Sequence, residues 1–279
     1  MPYVGTFVGY QSPSSTNNTT YTNINKLPID SEALILKPDG SGYIGDEYGA
    51  HVYYFNPAKQ IVDAIVPPPA FQPHSPTNVP NYSSAAPPVN GRRNNQGFEG
   101  VSLSPDGTRL FVLLQTAAVQ DGTQAVNDHK TKYTRLLVYD VSTNPVPPAP
   151  MGEYVLPLPT YRSDGSGGAV NKTCAQSEVV ALDNYRFLTL PRDGNGLGNS
   201  LTNPNVYKTL LLVDLRVGGP SNIVNDLARN VEGGTITSNG VAGTLDPTIT
   251  PLSWVEAVGP SINTAPAGVV VILLLNSLS

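Results

Sequence analysis

Three glutamates recur in a setting that could do chemistry. Glu32 opens EALILKPDGSGYIGDEYG, Glu99 opens EGVSLSPDGTRLFVLLQ and Glu178 opens EVVALDNYRFLTLPRD. Each precedes an apolar run, a tight turn and a second apolar run. Pairing of the two runs carries the end of the second back towards the glutamate. Further acids lie there, Asp46 and Glu47 in DEYG and Asp193 in PRDG. Glu47 and Asp193 each follow their glutamate by fifteen residues, while Leu114 holds that place in the middle repeat. Carboxylates gathered without His or Cys offer only oxygen ligands, the donors that Ca²⁺ and Mg²⁺ prefer. A cation so held could bind a phosphate, polarise it and acidify a bound water. The expected metal ligands are Glu32, Asp46, Glu47, Glu99 and Glu178, and the expected catalytic groups are Glu99, Glu178 and Asp193. Arg192 and Arg93 flank these acids in sequence and are the expected grips on phosphate oxygens, through bidentate hydrogen bonds.

Other constellations point to structure. Asp39, Asp106 and Asp183 sit in the turns between paired runs, where a short acidic side chain caps its own backbone. DGSGG (164–168) and RDGNGLG (192–198) are rich in glycine, but no helical pattern follows to present an N-terminus to a phosphate. There is no GxSxG, and His51, His74 and His129 have no partner in view, so a serine-hydrolase triad is not expected. Cys174 lacks a nearby His and Trp254 reads as a core residue. Inward carboxylates can also hold only water or a structural ion.

The elements that must position the glutamates are strands. Each pair of runs is followed by a third, HVYYFN (51–56), TRLLVYDVS (134–142) or YKTLLLVDL (207–215), and two by a fourth, QIVDAIV (60–66) and GEYVLPL (152–158). Asp-Gly between apolar runs is a strong hairpin signal, because the turn needs residues tolerant of positive φ. Four-stranded antiparallel units recurring about every 70 residues predict an all-β fold, a β-propeller with blades at about 28–66, 97–158 and 176–216. If each glutamate opens an innermost strand, all three converge on the central channel. Partial blades are expected from PYVGTFVGY (2–10) and GGTITSNGVAG (233–243). Long connections at 67–96, 117–133 and 160–177 are expected to cover one face. One domain over 1–258 is expected, followed by an atypical tail over 259–279. Three clear blades are few for a closed ring, so an incomplete or truncated propeller is expected.

Composition narrows the function. The chain has 279 residues with net charge −5 and no basic stripe, which argues against nucleic acid as a partner. A single cysteine excludes an internal disulfide framework and any CxxC zinc site. Sequons at Asn17, Asn18, Asn81 and Asn171 suggest a secreted glycoprotein, although Met1-Pro2-Tyr3-Val4 does not read as a signal peptide. The most apolar tract, AGVVVILLL (267–275), is about half the length of a membrane span.

The strand motifs together resemble a known family. IDSEALILKPDGSGYIGDEYGAHVYYFN, NNQGFEGVSLSPDGTRLFVLLQ, TRLLVYDVS with GEYVLPLP, and AQSEVVALDNYRFLTLPRDGNGLG are similar to the phytase-like propeller family, "esterase-like activity of phytase", over roughly residues 28–255. The resemblance implies phosphoester hydrolysis of a small phosphorylated substrate by a secreted protein, expected to be a monomer. It also implies an earlier blade and further blades after LDPTITPLSWVEAV (245–258), and these are expected to be missing or shortened here. Two alternatives stay open: a non-catalytic binding or scaffold propeller with a structural Ca²⁺, and a truncated, inactive member.

Overall fold

A computed structural model describes residues 29–257 apart from 83, 124, 126, 195–198, 201–202 and 205–206, with backbone only at 199–200 and 203–204. The expected segments at 2–10 and 259–279 lie outside the described residues. The fold is all-β. The first sheet comprises β1 (Ser31–Leu36), β2 (Gly42–Asp46), β3 (Val52–Phe55) and β4 (Ile61–Ile65), antiparallel in chain order. The second holds β5 (Phe98–Leu103), β6 (Arg109–Leu114), β7 (Tyr133–Asp140) and β8 (Gly152–Pro157), again in chain order. A small hairpin, β9 (Thr160–Tyr161) with β10 (Lys172–Thr173), leads to β11 (Ala175–Ala181) and β12 (Arg186–Arg192). A second small hairpin follows, β13 (Asn199–Ser200) with β14 (Asn203–Pro204). The third sheet orders β11, β12, β15 (Leu211–Asp214) and β16 (Trp254–Glu256).

The turns form as their residues dictate. Asp39 accepts from Ser41 N, Asp106 from Thr108 N, and Asp183 from both Tyr185 N and Arg186 N. Gly40 and Gly107 supply the positive φ that the first two turns need.

The middle sheet is buried on both faces, and period-two alternation sorts its side chains. Leu110, Val112 and Leu114 of β6, with Leu137 and Tyr139 of β7, join Ala33, Tyr43, Val52 and Ile65 of the first sheet. Phe111, Leu113, Leu136 and Val138 face the other way and pack with Val179, Phe187 and Val213 of the third. Phe111 and Phe187 meet tilted, with centroids 5.6 Å apart. Each such side chain contributes roughly 1.5–3 kcal/mol on burial, which fixes the order of the three sheets.

The fourth strand of the third sheet comes from far along the chain. After β15, residues 215–253 leave the sheet, and Ile223, Ile236 and Ile249 pack over Val155 of β8. The chain then returns as β16, where Trp254 is half-buried and donates from Nε1 to Pro157 O at 2.7 Å. The segment 233–243, expected as a partial blade, forms no strand. It contains a short turn at Ser238–Gly240 and one bridge between Thr237 and Leu245. Its backbone is committed elsewhere: Ile236 N donates to Asp121 Oδ1 and Gly234 O accepts from Arg135.

Candidate functional site

The first strands of the three sheets are neighbours, with β5 between β1 and β11. In each of them the recurring glutamate occupies a β-bulge. Ser31 faces Asp46 and Ala33 faces Gly45, so Glu32 is the extra residue. Phe98 faces Leu114 and Gly100 faces Leu113, which leaves Glu99 unopposed. In β11 the pairing jumps from Gln176–Pro191 to Val179–Thr189, so Ser177 and Glu178 together face Leu190. A bulge re-aims its side chain. It also lets Phe98 and Val101, three apart, enter the same core, which strict alternation forbids.

Glycines bring these bulges together. A Cβ at Gly97 would lie 2.3 Å from Glu47 O, so only glycine lets the mouth of β5 approach Glu47. A Cβ at Gly100 would lie 2.6 Å from Val179 Cγ2, which sets β5 against β11. The glycines of GFEG therefore hold Glu99 between its neighbours on either side.

The resulting site is strongly acidic. Asp30, Glu32 and Glu47 offer ligand oxygens that all lie within 4.8 Å of one another. Glu47 is buried, and its carboxyl is pushed up to about 9 by burial and by the charges of Glu99, Glu32 and Asp30, against a weaker pull from Arg92. Burial likewise pushes Glu99 up to about 7, with Glu32 and Glu178 adding to the rise and Arg192 opposing it. Glu32 is raised by burial and by Asp30. The Glu99 side chain is 9% exposed, and its Oε2 has no hydrogen-bond partner. Packed carboxylates with too little positive charge, one of them with an orphaned buried oxygen, make a donor set that fits a hard divalent cation.

Arg192 is the cation on the rim. Its Nη2 stands 3.9 Å from Glu99 Oε1, and its Nε donates to Ser177 Oγ at 2.6 Å. The guanidinium is 37% exposed, so it can reach an incoming anion.

The other expected residues are distributed differently. Asp46 is buried, and its oxygens accept from Asp30 N, Tyr48 N, Gly49 N and Tyr53 Oη, so it holds the segments that carry Asp30 and Glu47. Asp193 is buried and accepts from Tyr207 N at 2.7 Å. Glu178 is exposed, and its Oε1 accepts from Val179 N. Arg93 is buried, donating from Nε to Ala117 O and from Nη2 to Ala118 O, and burial pulls its guanidinium down to about 10. It ties the 67–96 connection to the strand ends and is not presented to an anion.

Register corrects the expected match of Glu47 with Asp193. Past the bulge, Glu47 N donates to Asp30 O and Gln115 N to Gly97 O, while Arg192 pairs with Ala175. Measured from its glutamate, the second hairpin is one residue longer than the first. The third is two shorter, with Leu190 opposite the bulge restoring one, so equal counting slips by one in each. Glu47 corresponds to Gln115 and Arg192, and a carboxylate in the first sheet is replaced by a guanidinium in the third. Asp30 was not anticipated from sequence; its signal was the acid two positions before the bulged Glu32 in IDSEAL.

Comparison with known proteins agrees with the sequence motifs. The family described as phytase-like, esterase-like activity of phytase, matches residues 9–258. An uncharacterized secreted protein of Arthroderma benhamiae is 32% identical over 255 residues, covering 85% of this chain and 48% of the relative. The chain thus spans about half the length of that relative. The solved structure of U3-55K aligns over 67% of this chain and 49% of its own at 11% identity, with a TM-score of 0.26, too low to bear on the fold. The chain belongs to the phytase-like family.

Proposed function

We propose that this member of the phytase-like family is a secreted phosphoester hydrolase. Its sheets act as blades of a β-propeller, and a divalent cation, Ca²⁺ or Mg²⁺, is held at their first strands. Asp30, Glu32, Glu47 and Glu99 would hold the cation. The observation that carries this reading is the orphaned, buried Oε2 of Glu99 beside the three converging carboxylates. The cation, when bound, supplies polarisation of a phosphoryl oxygen and acidification of a coordinated water.

The chain's own residues supply the rest. Arg192, oriented at Nε by Ser177, presents its remaining donors to the substrate's phosphate oxygens. Glu178, exposed beside Glu99, is the group free to take a proton at the rim. Asp46 and Asp193 fix the strand ends that carry these groups. Secretion is supported by the secreted relative. Among the described residues no helix is long and apolar enough to cross a membrane.

The test is phosphate release from phytate and from simple phosphomonoesters by the purified chain, with Ca²⁺ or Mg²⁺ added, against Glu99→Gln. Turnover in the wild type that the variant loses supports the proposal. Cation-dependent stabilisation with no turnover of either substrate class would instead identify a scaffold with a structural ion.

A further inference from the structure

Two of the four sequons fall among described residues, and the fold treats them in opposite ways. Asn81 is buried, with Nδ2 donating to Ala86 O at 2.9 Å. Its backbone is held as well, N donating to Pro73 O and O accepting from Arg92 Nη2. A sugar on that nitrogen would have to displace the packing of the 67–96 connection. Asn171 lies at the end of a loop, 163–171, in which every residue is exposed. Its Oδ1 accepts from Ser163 N and its Nδ2 donates to the exposed Ser163 Oγ. Substitution at Nδ2 leaves the first bond intact and removes at most one surface hydrogen bond. Thr173, the hydroxyl residue of that sequon, starts the chain back into the fold through β10.

The same loop is the most open stretch of the β9–β10 hairpin. It is held by local contacts such as Arg162 to Asp164 and Arg162 to Ala169 O, and a Cβ at Gly167 would meet nothing within 4 Å. Exposed loop tips of small polar residues are preferred sites of proteolytic nicking.

We propose that Asn171, and not Asn81, carries an N-linked glycan, which shields the 163–170 loop from proteases. The Asn171 amide nitrogen displaces the pyrophosphate of a lipid-linked oligosaccharide from the anomeric carbon. A C–N bond forms, a C–O bond breaks, and the nitrogen gives up one proton. The proposal rests on the secretion inferred above, since the donor lipid is met on that route.

The test is to produce the chain in a eukaryotic secretory host and map glycopeptides by mass spectrometry before and after peptide N-glycosidase. The expected result is a heterogeneous glycan on the Asn171 peptide, read as Asp after the enzyme, and an unmodified Asn81 peptide. Limited proteolysis should cut 163–170 at least tenfold faster after native deglycosylation, and in Asn171→Gln as well. Secreted protein with bare Asn171, or with a glycan on Asn81, would overturn the assignment, and equal cutting rates would overturn the shielding. Failure of the wild-type chain to enter the medium would count against secretion itself, and so against the premise.

Discussion

Two groups of carboxylates border the middle sheet, one fully buried and one partly buried at the first strands, and they are compensated in opposite ways. At the β7–β8 side, Arg135 is fully buried and places Nε 2.8 Å from Asp121 Oδ2, Nη2 3.1 Å from Asp121 Oδ1 and Nη1 3.3 Å from Glu153 Oε1. It also donates to Arg229 O and Gly234 O, while Asp121 accepts from Thr235 Oγ1 and Ile236 N. Burial works against its charge, but the two acids outweigh that and hold the guanidinium up. This knot ties residues 229–236 to the sheet. At the first-strand side, Asp30, Glu32, Glu47 and Glu99 face the partly exposed Arg192, 3.9 Å from Glu99, and the weaker pull of Arg92 on Glu47. Buried charge that the chain satisfies itself builds structure, whereas buried charge left short of its counter-ion calls for a ligand.

The largest test breaks the compensated side. Arg135→Met strands Asp121 and Glu153 in the interior and should cost about 3–5 kcal/mol, read as a fall in the urea midpoint. Gly97→Ala attacks the other side through the backbone. Its Cβ meets Glu47 O, so a loss of about 1–3 kcal/mol is expected, with weakened cation binding measured by calorimetry.

Glu99→Gln should have the opposite sign. Without cation it removes one buried like charge and should stabilise by about 1–3 kcal/mol at neutral pH. The wild type should gain about 2.7 kcal/mol at a cation concentration one hundred times its Kd, and the variant should lose most of that gain in thermal melts. A cation response unchanged in Glu99→Gln would remove Glu99 from the site.

A pH titration separates the two groups further. Glu99 and Glu153 are both raised from 4.5 to about 7, chiefly by burial, so between these values the folded chain binds protons that the unfolded chain has released. Cation-free stability should therefore fall as pH rises from about 4.5 to 7, and Glu47, raised to about 9, extends the fall to that pH. Saturating cation should remove the contributions of Glu99 and Glu47 and leave that of Glu153, which chemical denaturation across this window can resolve. The smallest effect is expected from Arg192→Lys, which keeps the charge but loses the planar fork. It should change stability by less than about 0.5 kcal/mol while weakening inorganic phosphate binding in the presence of cation.

Much of the fold was legible because short-range chemistry set it. The Asp-Gly and Asp-Asn turns and the apolar runs placed the first three strands of every sheet. The fourth strand of the third sheet was hidden, because its partner β15 lies beyond the 215–253 excursion and no local turn announces it. The recurring glutamates were visible, but the bulges that hold them were not. The β11–β12 hairpin is shorter than the β1–β2 hairpin and its bulge faces Leu190, differences hidden until the register is known, and so Asp193 stood in for Arg192. Arg93 looked like a free cation because sequence gives no sign that backbone carbonyls at 117 and 118 surround it.

By itself, then, the sequence determined the order of the first three strands of each sheet, the turn chemistry, the oxygen-only character of the acids and the family. These depend on residue type and on neighbours a few positions away. Tertiary structure alone decided which charges are spent and which are free. That choice depends on the packing of strands distant in sequence, where a glycine such as Gly97 admits a neighbour and a buried arginine such as Arg135 pairs with two acids.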